Sequence, residues 1–133
     1  MSESRIKSKC PVELYAEVLG SRWKILIIWH LRDRALRFSA LRKKMHNVNS
    51  KTLTMHLREL EDRKILSRAV FPEVPPRVEY SLTGYGKALL PVFDAMRGWA
   101  LQYLKSEGIP AGGFPGHDLP QRAELRVHLT DIF

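Results

Sequence analysis

The segment NSKTLTMHLREL, residues 49–60, is the most informative part of the chain. Leu53, Leu57 and Leu60 recur at helical spacing and place one apolar stripe along a helix. The preceding Asn49 is suited to be the N-cap, because its side-chain oxygen can accept a free backbone N–H of the first turn. The opposite side carries small, polar and cationic groups from Ser50, Lys51, Thr54, Met55 and Arg58. This pattern is typical of a helix that enters a DNA major groove, and it equally fits an ordinary solvated amphipathic helix.

Basic residues are concentrated around this segment. The formal net charge is +8, and residues 32–68 contain eleven Lys or Arg against four Asp or Glu, so that +7 of the excess lies there. A localised positive field attracts polyanions, and counterion release from phosphates supplies most of the non-specific affinity for DNA. A solvated basic face would give the same count. An acidic membrane surface is a third interpretation, weakened because the cations lie on several short segments and not on one long basic helix.

The composition indicates one globular domain. With 133 residues, 44% of them hydrophobic and 27% charged, the chain is long and apolar enough to bury a core. Its longest apolar run, residues 25–29, is far short of the ~20 residues that a membrane helix needs. The N-terminus has no apolar signal segment. Cys10 is the only cysteine, so no internal disulfide can form, and a reducing cytoplasm is the expected compartment.

Three helices are predicted before the segment and a hairpin after it. A helix over residues 11–19, begun by a proline and ended by a glycine, precedes one over 22–31 whose many large apolar residues predict a buried, central position. A short third helix over 38–45 turns Lys43 and its basic neighbours outward. These helices and the segment at residues 49–60 have the order of a helix-turn-helix.

Two β-type runs follow, over residues 65–71 and 77–82. The prolines of residues 72–76 between them cannot donate to a ladder, which predicts a hairpin tip. Arg77 beside that tip is placed to reach a DNA backbone or a minor groove, or is a solvated turn residue. Thr83 then caps a long helix that runs to about residue 106, in which an internal proline should produce a kink.

The expected fold is therefore mainly α with a small β-hairpin wing (α+β), a winged helix-turn-helix with a long C-terminal helix. We expect a flexible arm over residues 1–9, the winged domain over 10–106 and an extension of uncertain structure over 107–133. The candidate DNA contacts are Lys43, Ser50, Lys51, Thr54, Met55, Arg58 and Arg77.

Several motifs resemble the HxlR-type transcriptional regulators, bacterial winged-helix proteins related to the MarR group. The similarity covers roughly residues 10–104 and is most specific in the wing. It rests on Cys10-Pro-Val-Glu13, Arg22-Trp-Lys24, Arg37-Phe-Ser39 with Leu41, Leu57-Arg-Glu-Leu60, and Phe71-Pro-Glu-Val-Pro-Pro-Arg-Val-Glu-Tyr-Ser-Leu-Thr83. The resemblance implies a cytoplasmic homodimer that dimerises through its first and last helices. It also implies a pseudo-palindromic operator, with the helix at residues 49–60 of each subunit in a major groove.

The chain departs from this family where two glutamines are common and Met55 and His56 stand instead. A glutamine can pair with adenine through two hydrogen bonds, whereas Met55 offers only apolar contact, for example to a thymine methyl group. The operator preference should differ accordingly. His56 lies beside the apolar stripe by helix geometry, so we interpret it as a structural or phosphate-facing residue.

Cys10 is a second candidate site. It stands at the N-terminus of the first predicted helix, where the helix dipole and free N–H groups favour the thiolate, and Lys7 and Lys9 add positive potential. In many members of the resembling family a cysteine at this place senses quinones, aldehydes or oxidants. Without a second cysteine, oxidation could end in a sulfenic acid, a mixed disulfide or a bridge between two subunits. An inert, partly buried cysteine is the alternative.

No other chemistry is indicated. The five histidines lack metal-ligand spacing, His30 is expected in the core, and no cofactor or nucleophile motif is present, so no enzyme is predicted. Glu59, Glu61 and Asp62 are interpreted as a solvated helix end. Three functional hypotheses remain. The first is a DNA-binding regulator controlled through Cys10, the second a regulator controlled by a small ligand held between the long helices, and the third a winged-helix protein-interaction module.

Overall fold

A computed structural model describes residues 6–112 of the chain. The helices are Pro11–Leu19 (α1), Arg22–His30 (α2), Phe38–Lys44 (α3), Ser50–Asp62 (α4) and Gly84–Ser106 (α5), and the strands are Leu36–Arg37 (β1), Leu66–Phe71 (β2) and Arg77–Leu82 (β3). The predicted winged helix-turn-helix is confirmed. The chain divides into two compact units, the first ending at Lys87 and the second beginning at Ala88.

The first two helices are separated by the glycine and the serine that the sequence suggested. Cys10 is the N-cap of α1 and Pro11 is its first residue. At Gly20 a Cβ would lie 2.5 Å from the carbonyl oxygen of Ala16, so that only glycine fits there without a shift of the backbone. Ser21 caps α2, where its hydroxyl accepts the N–H of Trp23 at 3.2 Å. These two residues are all that separates the end of α1 from the start of α2.

Side-chain and backbone contacts fix both ends of α4. The Asn49 Oδ1 accepts the Thr52 N–H at 2.7 Å, which confirms the predicted N-cap. At the other end Lys64 has a φ of 63°, and the N–H of Ile65 donates to the Leu60 carbonyl at 2.9 Å. This is the Schellman arrangement, which normally places glycine in the left-handed position. A lysine takes that position here.

The wing is part of a three-stranded antiparallel sheet with the order β1-β3-β2. The β2–β3 hairpin pairs Leu66 with Leu82 at its base and Phe71 with Arg77 beside the tip, as predicted. The third strand was not predicted. β1 has only two residues, too few to show an alternating pattern, and it pairs Leu36 with Tyr80 and Arg37 with Glu79.

The core of the first unit is built around α2 and α4. Its fully buried large side chains are Ile27, Ile28, Leu41, Met45, Leu53, Leu57 and Leu60. The prediction that α2 is wholly buried is correct for one face only, since Trp23 and Trp29 on this helix keep intermediate exposure. His30 is buried, as expected for a core histidine. Lys24 of α2 is also buried, with only 8% of the residue exposed, and the sequence did not predict this burial.

The second unit contains most of α5, which is unbroken through Pro91. The Thr83 hydroxyl accepts the Gly86 N–H at 3.3 Å, which confirms Thr83 as the cap. Phe93 is buried, whereas Trp99 and Tyr103 are exposed and stack with their ring centroids 5.3 Å apart. α5 ends at Ser106, and Gly108 follows it in the left-handed region with a φ of 68°. The expectations for the first residues of the arm and for most of the C-terminal extension fall on residues 1–5 and 113–133, outside the described residues.

Candidate nucleic-acid interface

The two sides of α4 are separated as the sequence predicted. Its apolar stripe is completely buried, with Leu53, Leu57 and Leu60 each at 0% exposure. The five residues of the opposite side line one open depression on the surface; they are Ser50, Lys51, Thr54, Met55 and Arg58, called the outward face of α4 below. Four of these five residues are exposed, and the fifth, Thr54, has intermediate exposure. The outward face is therefore free of core contacts and accessible to a partner.

Exposed cations on α3 and α4 are available for phosphates. Lys51 on α4 and Lys43 on α3 are exposed, and neither forms an ion pair with another of the described residues. Arg58 is also exposed. Exposed cations that are not neutralised by a neighbouring carboxylate retain their full attraction for a DNA backbone.

A cluster of polar side chains lies where α4 packs on α2. The Lys24 Nζ is 2.5 Å from the Glu59 Oε2. The Nδ1 of His56 is 3.8 Å from the same carboxylate, and its Nε2 is 3.4 Å from the Ser21 Oγ. Of the two interpretations of His56, the structural one fits its burial, with 8% of the residue exposed. The sequence analysis did not predict this cluster, because nothing near Lys24 in the sequence distinguishes it from a solvated lysine.

Protonation in the cluster follows from burial and charge. Burial lowers the pKa of His56 below its ordinary value, and the neighbouring Glu59 and Lys24 act on it in opposite directions. The hydrogen bond from Lys24 lowers the pKa of Glu59. The imidazole of His56 is therefore neutral and the Glu59 carboxylate is ionised near neutral pH.

The interpretation of Glu59, Glu61 and Asp62 as a solvated helix end is wrong for two of the three. Glu59 pairs with Lys24, and Glu61 lies 3.3 Å from the Arg68 Nε of β2. These two carboxylates connect α4 to the helix behind it and to the wing beside it. Asp62 is exposed.

Arg77 is held within the wing. Its guanidinium carbon lies 4.2 Å from the centroid of the Phe71 ring, a cation–π contact. Its Nη2 is 3.4 Å from a Glu73 oxygen, and its Nε is 3.7 Å from a Glu79 oxygen. Two carboxylates therefore balance its charge at the wing tip. The sequence placed Arg77 correctly beside the tip and did not reveal these contacts.

Cys10 is exposed at the N-terminus of α1. Its thiol makes no cap hydrogen bond of ordinary geometry. The first-turn N–H groups of Glu13 and Val12 nevertheless lower its pKa, as expected beside a helix N-terminus. The backbone N–H of Cys10 donates to the Ser8 Oγ at 3.2 Å. The N–H groups of Lys7 and Ser8 in turn donate to the Glu17 carboxylate, at 3.1 and 3.2 Å.

The same carboxylate joins this part of the arm to α4. The Arg63 Nη2 lies 3.3 Å from the Glu17 Oε1, and Arg63 is the C-cap residue of α4. The segment that carries Cys10 is thus connected to the end of α4 through one side chain of α1.

Residues 6–112 contain neither a metal-binding cluster nor a membrane-spanning helix. No group of three or more His, Cys, Asp or Glu side chains in that part of the chain could hold a metal ion. No helix there is long and apolar enough to cross a membrane.

Known proteins are similar to this chain in both sequence and fold. The HxlR-like helix-turn-helix family model matches residues 18–108. An uncharacterized HTH-type transcriptional regulator from Methanothermobacter thermautotrophicus is 43% identical over 94 residues, which are 71% of this chain and 72% of the relative. The redox regulator HypR in its oxidized form is 40% identical with a TM-score of 0.66, covering 70% of this chain and 96% of HypR. The reduced form of the transcriptional regulator YodB from B. subtilis is 39% identical with a TM-score of 0.66, covering 74% of this chain and 98% of YodB. The chain belongs to the HxlR-like helix-turn-helix family of transcriptional regulators, as its motifs suggested.

Proposed function

We propose that this protein is a dimeric, sequence-specific DNA-binding regulator that reads bases with the outward face of α4 and responds to thiol-reactive compounds through Cys10. The observation that carries the DNA-binding part is the complete separation of the two sides of α4. One side is buried at 0% exposure and the other offers donors, cations and a thioether to solvent. A major groove accepts such a helix, and its base edges match these short side chains.

Different groups on and around α4 have different roles in this proposal. Ser50, Lys51 and Thr54 lie in the first turns, where base edges and phosphates are reached first. Met55, 48% exposed, offers an apolar contact, and Arg58 can pair with a guanine edge. Lys43 on α3 contacts the backbone. Arg77 approaches the backbone only if it leaves the contacts with Glu73 and Glu79.

Exposed apolar surface on two helices supports a homodimer. On α5, Trp99 and Tyr103 are 69% and 52% exposed, and on α1 Val12 is 77% exposed. Trp99 and Tyr103 stack on each other, and large apolar side chains exposed side by side are typical of an interaction surface. A two-fold dimer through these helices would bind a pseudo-palindromic operator with one α4 in each half-site.

The thiol part rests on the position of Cys10 and on the names of two similar proteins. An exposed thiol with a lowered pKa forms the reactive thiolate more readily. HypR is named as a redox regulator, and YodB is a transcriptional regulator with a known reduced form. A sulfenic acid, a mixed disulfide or a bridge between two Cys10 residues are the products that a single cysteine allows.

DNA selected from genomic fragments by the protein itself tests the first part. With that DNA, Arg58→Ala should weaken binding by about 1–3 kcal/mol if the side chain pairs with a base. Lys51→Ala should weaken binding to all DNA sequences alike, and the salt dependence of the affinity should fall by about the amount that one phosphate contact contributes. Lys105→Ala, an exposed cation on α5, is the matched control. Unchanged affinity in both Arg58→Ala and Lys51→Ala would remove α4 from the interface and favour a protein-interaction module.

Oxidation tests the second part. We expect diamide to change the affinity of the wild-type protein for its selected DNA and to leave the Cys10→Ser variant unaffected. An equal response of both proteins would reject Cys10 as the sensor. If the oxidant changes the DNA affinity of neither protein, a ligand that binds near Trp99 and Tyr103 becomes the candidate effector. Thermal-shift assays with candidate compounds would then test for such a ligand.

A further inference from the structure

We propose that Lys24 and Glu59 are positioning residues that set the register of α4 on α2 and neutralise a carboxylate at the edge of the outward face. The inference rests on the proposed function, since it assigns a role in base reading to residues that touch no base. Lys24 is a lysine in the core of the first unit. Lys24 retains only 8% exposure, and its ammonium nitrogen lies 2.5 Å from the Glu59 carboxylate.

A buried ammonium group is costly unless it is paired and hydrogen-bonded. An apolar residue at position 24 of α2 would be buried without that cost, as Ile27 and Ile28 of the same helix are. The lysine therefore contributes a directional contact with α4, which packing of apolar side chains alone does not provide. Apolar contacts are not directional, so the leucine stripe of α4 by itself permits small movements along α2. An ion pair with defined partners does not.

The contacts come as two matched pairs. Ser21 and Lys24 are three residues apart at the start of α2, and His56 and Glu59 are three residues apart on α4. Ser21 meets His56 and Lys24 meets Glu59. Residues at this spacing lie one turn apart on the same side of a helix. A displacement of α4 along its axis would break both contacts at once, so the cluster specifies one register.

The second effect is electrostatic. Glu59 lines the same surface depression as Met55 and Arg58, and its side chain is 45% exposed. An unpaired carboxylate there would repel the DNA backbone from the side that approaches it. Lys24 lies behind Glu59 and supplies the opposite charge from within the core. The outward face thus keeps its positive character although a carboxylate lies on its border.

The test uses four full-length variants: Lys24→Met, Glu59→Gln, the double variant, and the conservative Lys24→Arg. Affinity for the selected DNA and for scrambled DNA gives a specificity ratio, and urea unfolding gives stability for each protein. Replacement of a buried ion pair by uncharged groups of similar size is often neutral, so the double variant should regain stability lost by the single ones. Its specificity ratio should still fall about tenfold, the effect of one mismatched base pair. Lys24→Arg should retain most of the ratio.

A purely structural role predicts the opposite pattern, in which the specificity ratio recovers together with stability in the double variant. That outcome would overturn the proposal, as would a ratio within about twofold of wild type in Lys24→Met. Arg58→Ala measured beside them separates two failures. If Arg58→Ala weakens binding while the Lys24 variants keep the ratio, only the positioning role is lost. If none of the variants changes binding, including Lys51→Ala, the proposed function is wrong.

Discussion

Replacement of Asn49 separates what the first turn of α4 contributes to stability from what it contributes to DNA binding. The Asn49 Oδ1 accepts the Thr52 N–H at 2.7 Å, and no other side chain among residues 6–112 caps this end of the helix. Asn49→Ala removes the acceptor, and loss of such a cap costs about 0.5–2 kcal/mol. For a folded region of roughly 100 residues, each kcal/mol lowers Tm by about 4–8 °C.

Asn49→Asp should move stability and DNA binding in opposite directions. The carboxylate keeps an oxygen acceptor and adds a negative charge at the positive end of the helix dipole, which stabilises by about 0.3–1 kcal/mol. The same charge lies next to Ser50 and Lys51, which we place at the DNA. Two like charges about 4 Å apart in water repel by about 1 kcal/mol, which corresponds to roughly fivefold weaker binding. The salt dependence should also fall by about 0.9 in log–log slope, the equivalent of one phosphate contact.

Thermal unfolding by circular dichroism and fluorescence anisotropy at several salt concentrations measure the two effects. Gln102→Glu is the matched control, because it makes the same amide-to-carboxylate change on an exposed part of α5. Since Gln102 lies beside Trp99 and Tyr103, size-exclusion chromatography compares the dimer content of both variants with that of wild type. An Asn49→Asp protein that is at least as stable as wild type and binds DNA with the affinity and salt dependence of Gln102→Glu would refute the reasoning. The N-terminus of α4 would then not approach the DNA.

Three further predictions concern stability. Leu57→Ala removes a side chain with no exposed surface, so we expect unfolding in urea to cost about 2–5 kcal/mol less; wild-type stability would contradict the role of the stripe. Lys64→Gly should raise Tm, because Lys64 adopts a φ of 63°, a conformation that destabilises a non-glycine residue by about 1–2 kcal/mol relative to glycine. The greater freedom of glycine in the unfolded chain partly offsets this gain. A lower Tm would show that Lys64 has compensating contacts. Acid should destabilise the protein in two stages. Folding lowers the pKa of His56 below its ordinary value of 6.5, and it lowers the pKa values of Glu17 and Glu59 below 4.5. In each case the unfolded chain binds the proton first as the pH falls, so stability is lost below these ordinary values. Urea midpoints between pH 8 and 4 for wild type and His56→Gln measure this, and a wild-type midpoint that does not change between pH 7 and 5.5 would argue against a buried neutral His56.

Local patterns were sufficient to predict most of the architecture. The leucine spacing of α4 and its Asn49 cap depend on contacts within a few residues, and both are confirmed. The wing was predicted because prolines at its tip cannot join a ladder, and the pairing of Phe71 with Arg77 places the turn there. In each case the signal and the structure it specifies are close together in the chain.

The features that were missed depend on residues distant in sequence or too few to form a pattern. β1 consists of two residues and exists because β3 offers them an edge. The Lys24–Glu59 pair joins positions 35 residues apart, and neither residue differs locally from a solvated charge. The cation–π contact of Arg77 likewise depends on the pairing of the two wing strands, which brings Phe71 beside it. Long-range partners decide the environment of a charged side chain, and a single sequence does not contain them.

The separation of the two sides of α4 also bears on how such a regulator can diverge. Folding depends on the buried stripe and the caps, whereas the outward face contributes almost no packing. Surface substitutions away from such features usually change stability by less than about 0.5 kcal/mol. A duplicated copy of the gene could therefore exchange Ser50, Thr54 or Met55 one at a time, acquiring a new target sequence without passing through a protein that fails to fold. The same freedom makes these three positions the natural ones to randomise when the protein is to be directed to a chosen promoter.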